Sequence, residues 1–234
     1  MTRLLTAAVE DGRLRDPEAD SPSVPWWSLT KTALAAAALV LVAGGSLALD
    51  RPLAGRPFTL RQLLQHTAGV PDYGGLRDYH EAVARGDAPW SAERLLRSVD
   101  AERLLFPPGE GWAYSNVGYL LVRHLVEQAA TEDIDAALRR LVFAPLGLAG
   151  VRLAREPADL AATAWGNAAG YGLGLMIDVA SSRGRCLGHT GQGPGSTSAA
   201  YHFPDLDPPA TAAAFAPVED QAVVEFAVMG TWSC

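Results

Sequence analysis

Trp26-Trp27-Ser28-Leu29-Thr30-Lys31 runs directly into Thr32-Ala33-Leu34-Ala35-Ala36-Ala37-Ala38-Leu39-Val40, so a hydroxyl and an amine stand three positions apart at the head of a long apolar stretch. On an α-helix, residues i and i+3 share a side with Cβ atoms roughly 5–6 Å apart, close enough for the Lys31 amine to take a proton from the Ser28 hydroxyl. A serine needs such a base before it attacks an acyl carbon. The spacing also fits a plainer account, with Ser28 as the N-cap of the following helix and Lys31 as a snorkelling cation. Composition favours the chemical reading: of 19 basic residues, Lys31 is the only lysine and the rest are arginine. Arginine keeps its proton near neutral pH, whereas a buried lysine can lose it, so a base at this position has to be lysine.

Working outward, Thr32 to Ala43 reads as a helix apolar on nearly every face, and is therefore expected to be enclosed by other elements. Ser28 then lies at its N-terminal end, where unpaired amides and the helix dipole favour a developing negative charge. Ala33 to Leu49 is apolar enough to suggest a membrane span, yet Gly44-Gly45 interrupts it and it falls short of the ~20 residues a span needs. Upstream, Met1 to Gly12 reads as a short amphipathic helix with Leu4, Leu5, Ala8 and Val9 on one side. A polar loop containing Pro17, Pro22 and Pro25 follows. Glu10, Asp11, Asp16, Glu18 and Asp20 leave no continuous apolar region, so no signal peptide is expected.

Downstream, Thr59 is the expected cap of a helix through Leu64, closed by His66-Thr67-Ala68-Gly69-Val70. His66 is read as a residue that ends the helix and bonds loop backbone rather than as a catalyst. Ser91 to Val99, Leu120 to Ala130 and Ile134 to Val142 are further helical patterns. Beyond Gly150 the period changes, and Gly170 to Ile177, Arg185 to Gly188, Ser196 to Phe203 and Ala210 to Phe215 read as strands. Pro217-Val218-Glu219-Asp220 suits a first helical turn running on to about Met229. These elements predict an α+β fold: an antiparallel sheet flanked by helices, with a mostly helical second lobe. The lobe holding the sheet is expected from residues 1–45 and 150–234, and the helical lobe from 46–149.

The 234 residues suffice for one sizeable core or two small lobes, and a 49% hydrophobic content is ordinary for a globular chain. A net charge of −7 with no basic stripe argues against nucleic acid and membrane partners. Cys186 and Cys234 make no disulfide framework, and two free thiols suit a reducing, cytoplasmic setting. Nothing in the sequence sets the oligomeric state.

Pro107-Pro108-Gly109 followed by Tyr114-Ser115-Asn116-Val117-Gly118-Tyr119 is more specific than Ser-x-x-Lys. Together with Ser28-Leu29-Thr30-Lys31 it resembles the serine β-lactamase-like hydrolases: class C β-lactamases, D,D-peptidases, D-aminopeptidases and β-lactamase-like esterases. Leu63-Leu64-Gln65-His66-Thr67-Ala68-Gly69-Val70-Pro71 looks like that family's entry to its helical lobe, and Gly188-His189-Thr190-Gly191 stands where it carries Lys-Thr-Gly or His-Thr/Ser-Gly. The resemblance, from roughly Trp26 to Phe203, implies a β-lactamase/transpeptidase-like fold. It implies Ser28, Lys31 and Tyr114 as catalytic residues and Asn116, His189, Thr190, Gly191 and Gln192 as substrate-binding ones, with the Ser28 and Gln192 amides as oxyanion donors. The residue chemistry agrees: a tyrosine beside a cation passes protons, and an asparagine amide offers a donor and an acceptor.

Three departures qualify the resemblance. No clear β-hairpin is read in the 27 residues before Ser28, and His189 follows Asn116 by only 73 positions, so the sheet is expected to be reduced and the cleft open. Histidine in the third motif removes a permanent positive charge, which weakens the case for carboxylate-bearing substrates. The expected activity is acyl transfer through an acyl-serine on small esters or amides, with no metal or organic cofactor. The alternatives are a β-lactamase or D-amino-acid peptidase, either of which takes a small-molecule amide or peptide substrate, and a degenerate member that binds a ligand or partner without turnover.

Overall fold

The computed structural model describes residues 4–10, 13–15, 24–101, 103–153, 176–181 and 184–230. Its contacts divide the chain into two compact units, Met1–Thr32 with Leu153–Cys234, and Ala33–Arg152.

The first unit is built on a six-stranded antiparallel sheet of order β2-β1-β6-β5-β4-β3. The strands are β1 (Leu5–Glu10), β2 (Arg13–Arg15), β3 (Met176–Ser181), β4 (Gly184–Gly193), β5 (Ser196–Phe203) and β6 (Ala210–Ala216). Along β5 and β6 every second residue points to one face, and Ala199, Tyr201, Phe203, Ala212, Ala214 and Ala216 pack there with Cys186. The last helix, Gln221–Gly230, covers that face with Val224 and Val228. The opposite face of β4 and β5 receives a single 3-10 turn, Trp27–Leu29.

The N-terminal segment corrects the sequence reading. Instead of a helix over Met1–Gly12, β1 and β2 form the hairpin that was not legible in the sequence, and β1 pairs with β6 from Leu5↔Phe215 to Glu10↔Ala210. The cause is tertiary: strand preference depends on what a residue packs against, and an alanine-rich partner edge offered pairing that outweighed local helix propensity. The strands expected over Arg185–Gly188, Ser196–Phe203 and Ala210–Phe215 form, the first extending to Gly193. Met176 and Ile177 open β3, while Gly170–Leu175, like Pro17, Pro22 and Cys234, lie outside the described residues.

The second unit is helical. Its elements are most of α1 (Thr30–Ala43), then α2 (Leu60–Leu64), α3 (Arg77–Ala84), α4 (Ala92–Arg97), α5 (Asn116–Ala130) and α6 (Ile134–Leu138), which runs on into one π turn over Arg139–Phe143. The helix Gln221–Gly230 is therefore α7. Thr59 caps α2 in a reciprocal box with Gln62. Leu60, Leu63, Val117, Val122, Val126 and Leu138 are buried. The expectation that α1 is enclosed holds at Ala37 and Ala38 but fails immediately afterwards, where Leu39 and Val40 are 46% and 45% exposed. Among the described residues no helix is long and apolar enough to cross a membrane.

Candidate active site

The 3-10 turn that carries Ser28 leads without a break into α1, so Ser28 is half-buried just ahead of the helix and Lys31 stands in its first turn. Lys31 is fully buried. A lysine taken out of water costs free energy unless other groups engage it, and this one is among the largest fully buried side chains described. Trp27, immediately before Ser28, has φ +48°, a left-handed conformation that costs a non-glycine residue about 1–3 kcal/mol. Two things hold it there. The residue is 4% exposed, and its Nε1 donates to Ser196 Oγ at 2.9 Å. Removing a buried aromatic costs about 3–5 kcal/mol, so the burial outweighs the strain.

The strand under this turn explains the glycines of the third motif. A Cβ on Gly191 would come within 2.6 Å of the Trp26 carbonyl oxygen, and one on Gly193 within 2.5 Å of the Trp27 ring. Gly191 and Gly193 thus let the serine segment lie against β4. By the same alternation His189 shares their face, whereas Thr190 and Gln192 point to the other: Thr190 Oγ1 accepts from Gln221 Nε2 at 2.8 Å, and Gln192 Nε2 donates to the Glu219 carbonyl at 2.7 Å. Among the described residues β3 pairs with β4 only as far as Gly188, leaving His189–Gly193 bordered by β5 alone.

His189 is buried, and its Nδ1 donates to the Thr190 carbonyl oxygen. Burial pushes its pKa below the usual 6.5; the Thr190 bond opposes that, and the Lys31 charge adds to it. The ring is consequently neutral at pH 7.

In the second unit Tyr114, Ser115 and Asn116 stand where loop becomes helix. Asn116 is the first residue of α5, four residues earlier than the sequence pattern suggested, because Ser115 caps the helix by accepting from Gly118 N at 2.9 Å. His66 straps this segment from both sides of Tyr114. Its carbonyl accepts from Ala113 N, its Nδ1 accepts from Ser115 N at 3.1 Å, and its ring lies 4.6 Å from that of Tyr114. The backbone role read for His66 is the one it has. The nearby Tyr119 is engaged in the helical unit: its hydroxyl donates to the Leu64 carbonyl, and burial pushes its pKa upward.

Two residues here went unnoticed in the sequence, Trp27 and Asp72. The Asp72 carboxylate accepts from Asn116 N at 2.8 Å and Asn116 Nδ2 at 3.0 Å. Val70-Pro71-Asp72-Tyr73 looks like an ordinary turn, and its only signal was an acid beside a motif distant in sequence. Other serines are engaged in structure: Ser115 Oγ also donates to the Pro71 carbonyl, Ser198 Oγ donates to the Trp26 carbonyl, and Ser196 holds the Trp27 indole.

The family profile described as Beta-lactamase matches residues 7–169, well over half of the chain. The chain belongs to the beta-lactamase family. It is 32% identical over 115 residues to penicillin-binding protein 4* of Bacillus subtilis, a match covering 44% of this chain and 24% of the relative. It is also 32% identical over 141 residues to esterase EstB of Burkholderia gladioli, covering 52% of this chain and 36% of the relative. The match thus spans about a quarter to a third of the length of these two curated relatives. A D-stereospecific amidohydrolase from Streptomyces sp. has the same fold, with a TM-score of 0.72 at 20% identity over 99% of this chain and 93% of that one.

Proposed function

We propose that the chain is a serine hydrolase that works by acyl transfer on small esters or amides. Ser28 Oγ attacks the carbonyl carbon while its proton passes to Lys31, acting through the fraction of its amine that has given up a proton. The tetrahedral oxyanion is held by the Ser28 and Gln192 amides; as it collapses, the bond to the leaving alcohol or amine breaks and that group takes a proton from Tyr114 or Lys31. Water then attacks the acyl-serine, gives up a proton along the same route, and releases acid and free Ser28. Asn116 and His189 bind substrate, beside Gly191. Thr190 and Gln192 contribute backbone to the site, since their side chains bond Gln221 and Glu219.

The observation that carries this reading is the complete burial of the only lysine, three residues after Ser28 at the start of α1. The family match supports it. A β-lactam or D-amino-acid peptide would use the same chemistry, and a penicillin-binding protein is among the relatives. The neutral His189 favours substrates without a free carboxylate, because no fixed cation is offered by the third motif. A reducing, cytoplasmic setting fits a chain whose two cysteines, Cys186 and Cys234, make no disulfide framework.

The test is Lys31→Arg, assayed on p-nitrophenyl esters, nitrocefin and D-alanyl p-nitroanilide. Arginine keeps the charge and cannot serve as the base. We expect wild-type turnover to be greatest on the uncharged esters and to fall on the order of 10²-fold or more in kcat in the variant, with the thermal midpoint little changed. Activity kept and stability lost would mark Lys31 as structural and refute the mechanism.

A further inference from the structure

We propose that Asp72 is a positioning residue of this site, which fixes the Asn116 side-chain amide with its nitrogen toward the carboxylate and its oxygen turned away. The proposal rests on the reading that Asn116 binds substrate. An ionised carboxylate only accepts hydrogen bonds, so of the two ends of an asparagine amide only the nitrogen can face it. Asp72 Oδ2 receives Asn116 Nδ2 at 3.0 Å, while Oδ1 receives the Asn116 backbone N at 2.8 Å and the Val117 N at 3.4 Å. One carboxylate thus grips both the main chain and the side chain of one residue. That exceeds what the start of α5 requires, because Ser115 already supplies the helix cap.

The opposite side of the carboxylate is also built. Gly74 N donates to Oδ2 at 3.2 Å, and a Cβ on Gly74 would stand 2.7 Å from that oxygen and 4.0 Å from Asn116 Nδ2. The missing side chain leaves room for the Asp72–Asn116 contact. With its amide held, Asn116 meets a substrate in one orientation and loses no rotamer freedom on binding.

Asp72→Asn tests this with almost no change of shape. The oxygen of the substituted side chain still accepts the Asn116 and Val117 N–H groups, while its new NH2 takes the place of Oδ2, gives up the Gly74 N–H bond and faces Asn116 Nδ2, and these two opposed donors force the Asn116 amide to turn over. We expect kcat/KM on the best ester to fall roughly 10- to 100-fold, as when a bond to a charged group is lost, with the thermal midpoint little moved. The loss should vanish in an Asn116→Ala background, and the Asn116 side-chain 15N resonance should shift in Asp72→Asn protein. Equal losses in both backgrounds, wild-type kcat/KM in Asp72→Asn, or an unmoved resonance would overturn the proposal. Gly74→Ala, which crowds Oδ2, is read by the same cycle should Asp72→Asn not fold. Full turnover in Asn116→Ala would remove the substrate role of Asn116 and this proposal with it, whereas full turnover in Ser28→Ala would refute the hydrolase mechanism and leave the resonance readout standing.

Discussion

In the proposed site, His189 is the residue whose charge state would most directly shape which substrates are accepted. Its pKa is lowered in the folded protein, chiefly by burial, so the folded state prefers the neutral ring more than the unfolded chain does. The resulting stability is present above the unfolded value of about 6.5 and is lost as pH falls through the folded value. The thermal midpoint of the wild type should therefore fall between about pH 8 and pH 5 more steeply than that of His189→Asn, and parallel curves would contradict the burial argument. Composition singled out Lys31 at this scale, and the structure buries it; His66 was legible because its place at a helix end suggested a backbone role. Asp72 and Trp27 were not. Their parts depend on partners far away in sequence, Asn116 for one and Ser196 for the other.

At the scale of elements, periodicity served where an element packs by its own pattern and failed where a neighbour decided the outcome. β5 and β6 show their alternation in burial, with Tyr201 and Phe203 on one face. In β1 only Ala8 is buried, so no period of two was there to be read, and the pairing with β6 was hidden in two alanine-rich segments. The contact between β4 and the 3-10 turn was equally hidden, since a glycine's neighbour cannot be read from its own sequence. That contact yields a prediction. Gly193→Ala places a methyl 2.5 Å from the Trp27 ring and should destabilise by about 1–3 kcal/mol while lowering turnover through displacement of Ser28. Gly150→Ala, whose Cβ would meet nothing within 4 Å, should leave unfolding and activity unchanged. Equal behaviour of the two in chemical denaturation would show that Trp27 does not pin the serine segment.

For the molecule as a whole, the α+β class was legible from the change of period after Gly150, and the family from the motifs around Ser28, Tyr114 and His189. The fold then supplies two things that spacing could not: a buried environment for Lys31 and a strap of hydrogen bonds around Tyr114 and Asn116. The claim that joins them is that Ser28 becomes acylated during turnover. It is tested most directly by acid-quenching the protein during p-nitrophenyl ester hydrolysis and mapping the acyl group by peptide mass. The account predicts one acyl group per chain on the peptide containing Ser28, with neither adduct nor turnover in folded Ser28→Ala. An acyl group on Ser115, Ser196 or Ser198, or undiminished hydrolysis by Ser28→Ala, would contradict it.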